Sequence, residues 1–195
     1  MRLFAAVLPP DDVRAALEAA VAPLRDLPGA GRLRWTGREA WHFTLVFLGE
    51  VDEDLLPGLG ERLARAARRC EPFPLRVTGG GHFGGRALWA GADGDIPALR
   101  RLAERARAAS RRAGIGTDEH RAYRPHLTLA RASAPAAGES PVDLRPHVER
   151  LAAVEGEVWQ VDGLCLVRSR LPDGRTPGAR PRYETLARWP LGRGR

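Results

Sequence analysis

The chain has 195 residues, 44% of them hydrophobic and 28% charged, with a formal net charge of +7. That length and balance exclude a disordered chain and suffice for a core that needs neither disulfides nor metals. Every one of the 31 basic residues is arginine, and the positive surplus attracts a polyanion such as RNA as readily as it solubilises a surface.

The apolar run Met1 to Leu8 stops at Pro9-Pro10. It is too short for a signal-peptide core with a cleavage site or for a membrane span, and it reads as a first buried strand. A helix is predicted from Pro10-Asp11-Asp12, with Val13, Leu17, Val21 and Leu24 on one stripe and Asp11 or Asp12 as the cap. Pro28-Gly29 ends it. Leu33 to Trp35 is a short strand, and His42 to Leu48 is a longer one rich in β-branched and aromatic residues. A second helix covers about Asp54 to Cys70, with Leu55, Leu59, Leu63 and Ala66 on one face and Pro57 in its first turn.

Phe73 to Thr78 and Arg86 to Ala90 read as a strand pair, with Gly79, Gly80, Gly81, Gly84 and Gly85 in the link between them. A third helix follows Pro97 and ends at Gly114 and Gly116. His126 to Arg131 is the next strand, Ala132 to Pro141 a loop, and Leu144 to Ala152 a fourth helix. Strands at Glu157 to Val161, Leu164 to Arg168 and Tyr183 to Trp189 close the chain, with a turn-rich connection at Leu171 to Pro181. The interspersed elements and the short glycine-rich link favour an α+β fold with antiparallel or mixed sheets. Cys70 and Cys165 match no metal-ligand spacing and read as reduced thiols of a cytoplasmic protein.

One pattern occurs twice: His42-Phe43-Thr44-Leu45 and His126-Leu127-Thr128-Leu129. A single His-x-Thr-Leu match is expected by chance in about two such chains in a hundred, so the pair points to an internal duplication. Alternation along a strand puts His42 beside Thr44 and His126 beside Thr128, with Phe43, Leu45, Leu127 and Leu129 on the other face as core anchors. A lone strand His-x-Thr is ordinarily a half-buried structural pair. Two copies brought together instead give two imidazoles and two hydroxyls around one cleft. Imidazole titrates near neutrality, so one ring can accept a proton while the other donates one. The hydroxyls can hold phosphate oxygens.

Both motifs resemble those of the two-histidine (2H) phosphoesterases, specifically the RNA 2′,3′-cyclic phosphodiesterases, also called 2′-5′ RNA ligases. The resemblance extends over most of the chain, through Arg2-Leu3-Phe4, Arg34-Trp35, Trp41 to Val51, Phe73-Pro74-Leu75, Leu88 to Gly91, Arg124 to Arg131 and Tyr183 to Leu186. It implies one two-lobed domain over residues 1–195. In that fold two pseudo-symmetric lobes each carry an antiparallel sheet with helices outside, and the cleft lies between them. It implies metal-independent hydrolysis of an RNA 2′,3′-cyclic phosphate end to a 2′-phosphomonoester, with no cofactor. His42 would be the proton donor and His126 the proton acceptor; Thr44 and Thr128 would hold the phosphate. The symmetric motifs cannot order the two histidines by themselves. Phe43 stands where the family usually has Leu. The alternatives are RNA 2′-5′ ligation in the reverse direction and a non-catalytic RNA-binding module.

Arg131 resembles a phosphate-contacting arginine of that family, although strict alternation turns it away from His126; a bulge would turn it back. Arg34, Arg38 and Arg124 are candidate RNA contacts, and each reads more readily as a solvated surface residue. Phe83 and Tyr183 are candidates for base stacking. Phe47 falls on the core face by alternation. His82 is expected in a loop, and His120 and His147 on the surface. The glycine run lacks the Gly-Lys-Ser/Thr ending of a phosphate loop, no serine elbow is present, and no His and carboxylate set has the spacing of a metal site. A monomer without a membrane segment is the expected form.

Overall fold

The computed structural model describes residues 1–117, 123–133, 135, 137–170 and 181–192. Nine strands and four α-helices follow one another as β1 (Arg2–Val7), α1 (Asp11–Val21), β2 (Leu33–Trp35), β3 (Phe43–Glu50), α2 (Leu56–Arg68), β4 (Phe73–Phe83), β5 (Ala87–Gly94), α3 (Ile96–Arg112), β6 (Leu127–Ala132), α4 (Arg145–Leu151), β7 (Trp159–Val161), β8 (Gly163–Arg170) and β9 (Arg182–Pro190) among the described residues. They form two antiparallel sheets, in the orders β3-β1-β8-β9 and β2-β6-β5-β4-β7. The expected α+β architecture of two antiparallel sheets is the one observed.

The two motif strands hold matching places. β3 pairs with β1, which precedes it across α1, and β6 pairs with β5, which precedes it across α3. Each unit is thus an antiparallel pair spanned by a helix, one per sheet. Behind the sheets, Leu59 and Leu63 of α2, Leu99, Leu102 and Ala106 of α3, and Leu151 of α4 join Leu3, Ala5, Leu75, Leu88, Leu127 and Leu129 in one buried cluster. Phe4, Ala6, Cys165 and Val167 form a separate small cluster on the other face of the first sheet. Successive residues of β1 therefore feed two faces: Leu3 and Ala5 the main core, Phe4 and Ala6 the inner face.

Three local expectations are corrected. Neither Asp11 nor Asp12 caps α1; Pro10 occupies the cap position without a side-chain bond, and Asp11 instead pairs with Arg14. Asp95 is the residue that caps a helix here, accepting from the Ala98 N–H at 2.8 Å. The glycine run is not a loop: Gly79, Gly80 and Gly81 lie within β4, and only Gly84 and Gly85 form the hairpin turn, both at positive φ. Such a turn matches strand twist best and suits glycine. His147 is not on the surface but fully buried on α4, four residues before the equally buried Leu151 and so on the same helical face. His120 lies outside the described residues, as does the connection over residues 171–180.

Candidate active site

His42 lies immediately before β3 and His126 immediately before β6. Both side chains stand on the inner faces of their sheets. The His42 ring lies 4.5 Å from Phe4 and 5.1 Å from Tyr183, centroid to centroid. The His126 ring lies 4.9 Å from Phe83 and 6.4 Å from Trp89. Each imidazole therefore rests on aromatic carbon contributed by neighbouring strands. Tyr183 and Phe83, the base-stacking candidates of the sequence, each border a histidine.

His126 Nδ1 meets the Arg124 carbonyl at 2.7 Å. A carbonyl only accepts, so Nδ1 carries the hydrogen and Nε2 is left with its lone pair. His42 has a backbone hydrogen-bond partner in Ala40, also two residues upstream. Burial lowers the pKa of His42 from 6.5 to about 4, the Ala40 bond opposes this, and the charge of His126 lowers it further. His126 is lowered too, by burial first, with the Arg124 bond opposing and Arg131 adding to the drop. The two imidazoles thus lie within electrostatic reach of each other. Without a bound anion both are neutral at neutral pH.

Thr44 pairs across the ladder with Ala6 and Thr128 with Trp89; both are half-buried, on the histidine side of their strands. Beyond them the alternation breaks, and in the same way twice. Ala6 opposes Thr44 but Ala5 opposes Val46, so Leu45 is the extra residue of a bulge. Trp89 opposes Thr128 but Leu88 opposes Ala130, so Leu129 is the extra residue of a second bulge. A bulge shifts every later side chain to the opposite face. Leu45 and Val46 are consequently both buried, as are Leu129 and Ala130, and the next residues, Phe47 and Arg131, turn inward.

Arg131 therefore faces the cleft, where its charge acts on both His126 and Tyr183. Phe47 is corrected from core to cleft wall: it is 63% exposed, with its ring 6.1 Å from Phe4. Arg34 is the cross-strand partner of Arg131, so the two guanidinium groups share one face. Two like charges side by side destabilise a sheet unless an anion joins them. The Arg124 side chain is exposed, and its contribution to the site is the carbonyl that holds His126. His82 is the penultimate residue of β4 rather than a loop residue, and its Nδ1 accepts from the Gly85 N–H at 3.2 Å and steadies the turn.

Sequence reasoning missed Phe4, Trp89, the backbone partner at Ala40 and the carbonyl of Arg124. Nothing in a sequence marks a carbonyl as a ring anchor. A signal for Trp89 exists in hindsight in the glycines opposite it. A Cβ at Gly81, its cross-strand partner, would come within 2.6 Å of the indole, while one at Gly80 would come within 2.7 Å of Leu151 on the other face. The glycines let the indole lie flat over β4 and let α4 dock behind it.

Comparison with known proteins places this geometry in a family. The sequence family described as the 2′-5′ RNA ligase superfamily matches residues 9–173. The chain is 36% identical to the RNA 2′,3′-cyclic phosphodiesterase of Thermus thermophilus, over 98% of this chain and 90% of that one. A solved structure of a Thermus thermophilus protein superposes over the whole of both chains with a TM-score of 0.74 at 35% identity. Escherichia coli LigT complexed with 3′-AMP superposes over 98% of each chain with a TM-score of 0.74 at 26% identity. Paired His-x-Thr strands in two antiparallel sheets and these similarities agree, and the chain belongs to the 2′-5′ RNA ligase superfamily of two-histidine phosphoesterases.

Proposed function

We propose that the protein is a hydrolase of RNA 2′,3′-cyclic phosphate ends, which it opens to 2′-phosphomonoesters by metal-independent acid and base catalysis with His42 and His126. The observation that carries this reading is the matched setting of the two imidazoles, each immediately before its motif strand, bordered by aromatic rings and followed by a half-buried threonine. The activity named for the Thermus thermophilus relative is of this kind.

In this mechanism the cyclic phosphate lies between the rings. Neutral His126, already holding its proton on Nδ1, takes a proton from water at Nε2. The water oxygen bonds to phosphorus as the bond from phosphorus to the 3′-oxygen breaks. His42, protonated in the complex, gives its proton to that oxygen. The 2′-oxygen keeps the phosphate. Thr44 and Thr128 donate hydroxyl hydrogen bonds to the non-bridging oxygens, and Arg131 stabilises the charge that gathers there. Arg34 adds to the same field.

The depressed His42 pKa requires that the donor acquire its proton with the substrate. An unliganded His42 is neutral at pH 7. The phosphodiester brings a negative charge into a site of low polarity, which raises the pKa of a nearby imidazole. Substrate charge thus loads the acid, and the free enzyme need not hold a buried cation there.

The test is incubation of the purified protein with a short RNA ending in a 2′,3′-cyclic phosphate, followed by identification of the hydroxyl that retains the phosphate. A 2′-phosphate is the expected product. An unchanged cyclic end, or a 3′-phosphate, overturns the reading.

A further inference from the structure

Away from the cleft, a cavity of about 460 Å³ opens between α2 and α3, and five arginines line it: Arg62, Arg65, Arg69, Arg105 and Arg112. Arg62, Arg65 and Arg69 recur at spacings of three and four, and Arg105 and Arg112 at seven, so each helix presents one row. Small side chains, Ala66 and Ala109 among them, form the floor and let the helices approach. Among the described residues only Arg65 of these five has a carboxylate partner, Glu61 at 3.0 Å. Arg105 bonds the Arg69 carbonyl and the Cys70 sulfur, and Arg62 the Gly58 carbonyl. Arg69 and Arg112 are exposed.

A groove with this much unbalanced positive charge repels itself, and the missing component is an anion. Its shape says which kind. From Arg62 to Arg69 the helix rises about 10 Å, the span of about three nucleotide steps at about 3.4 Å per stacked nucleotide. The groove is open rather than closed around one ion, and no aromatic side chain lines it. It therefore suits contact with a polyphosphate backbone and provides nothing to read a base.

The groove also has a defined relation to the catalytic face. α2 packs on β8 and β9 and α3 packs on β3, strands whose other faces carry Phe47, Tyr183 and the cleft. The groove is thus on the back of the sheet that holds His42. Sheet and helix layers together are about 20 Å thick. An RNA rounding the edge needs roughly six nucleotides at about 3.4 Å each.

We propose that the α2–α3 groove is a second RNA-backbone site, which holds the 5′ body of a substrate whose cyclic end occupies the cleft. The inference rests on RNA being the substrate class. It predicts length-dependent affinity: short ends engage the cleft alone, and longer chains engage both surfaces.

The test uses the double variant Arg69→Glu, Arg112→Glu, with a thermal melt to confirm folding. Binding of fluorescein-labelled RNAs of about 4 and about 20 nucleotides, each ending in a 2′-phosphate, is measured across a salt series. The variant is expected to lose about tenfold or more in affinity for the longer RNA and about two units of salt slope. Its affinity for the shorter RNA, and its turnover of a short cyclic end, should be unchanged. Unaltered affinity for the longer RNA overturns the proposal, and so does an equal loss for both lengths, which would mark a general field rather than a contact. If charge reversal unfolds the protein, Arg69→Gln, Arg112→Gln replaces it with the same signs expected. Wild-type protein that leaves the short cyclic end intact would instead remove the catalytic reading, while the binding series still decides the groove.

Discussion

The indole of Trp89 lies across Gly81, its partner on β4, so closely that a Cβ there would stand 2.6 Å from the ring. Trp89 in turn stacks with Phe83 at 5.2 Å, and both rings border His126. Gly81→Ala must push the indole toward the cleft. Overpacking of this kind costs about 1–3 kcal/mol, and the displaced ring shifts the imidazole it supports. The expected result is a folded protein with a changed tryptophan emission spectrum and kcat reduced by roughly tenfold or more, since small misplacements of a reacting group are costly. Wild-type kcat in Gly81→Ala would show that Trp89 does not position His126.

His42→Ala and His126→Ala should each lower kcat by about two to four orders of magnitude, with melting temperatures at or above wild type. Excess chelator should leave wild-type activity unchanged. Activity lost to chelator and restored by a metal would remove the mechanism proposed above.

The pH profiles carry a sign. In the free protein both histidines titrate below 6.5, His42 near 4. Bound phosphodiester raises imidazole pKa values by its negative charge. The bell in kcat, which reports the complex, should therefore sit at higher pH than the bell in kcat/KM, which reports the free enzyme. Coincident bells would mean that the substrate does not load the donor.

Phe47 and Arg131 occupy equivalent places and should fail differently. Phe47→Ala removes an exposed ring suited to base stacking, worth about 1–3 kcal/mol, and should raise KM for RNA ends while leaving kcat within a few-fold. Arg131→Ala removes charge from the phosphate and should lower kcat. Equal effects on KM and kcat from both variants would show that the two halves of the cleft are not specialised.

Acid should destabilise the unliganded protein. His42 and the buried His147 both have folded pKa values below 6.5, burial being the first cause in each. A group of this sign stabilises the fold fully above its unfolded pKa, and that stability falls away as pH drops toward the folded pKa. The Asp143 charge only partly offsets this for His147. Melting temperature should decline from about pH 6.5 to about 4, and His147→Leu should flatten the decline. An unchanged pH dependence in that variant would show that His147 takes up its proton without cost.

The elements with a clear period were readable in the sequence. Val13, Leu17 and Val21 marked α1, Leu59 and Leu63 marked α2, and the duplicated motif located both catalytic candidates. What escaped was set by partners remote in the chain. Leu45 and Leu129 look like ordinary strand residues; only the register against β1 and β5 makes them bulges. Gly79 to Gly81 have poor strand propensity, and the place of Gly80 and Gly81 in β4 is explained by Leu151 and Trp89 rather than by themselves. The polarity of His147 points to the surface, whereas its spacing of four from Leu151 puts it on the buried face of α4.

The twin bulges leave a usable rule of spacing. A regular strand brings alternate residues to one side, whereas these two strands bring the first, the third and the sixth: His42, Thr44 and Phe47, then His126, Thr128 and Arg131. The last member can change its chemistry, aromatic in one half and cationic in the other, without disturbing the other two. An inserted leucine between the second and third of these positions, Leu45 in one strand and Leu129 in the other, thereby lets the two strands keep a matching imidazole and hydroxyl while the third position diverges.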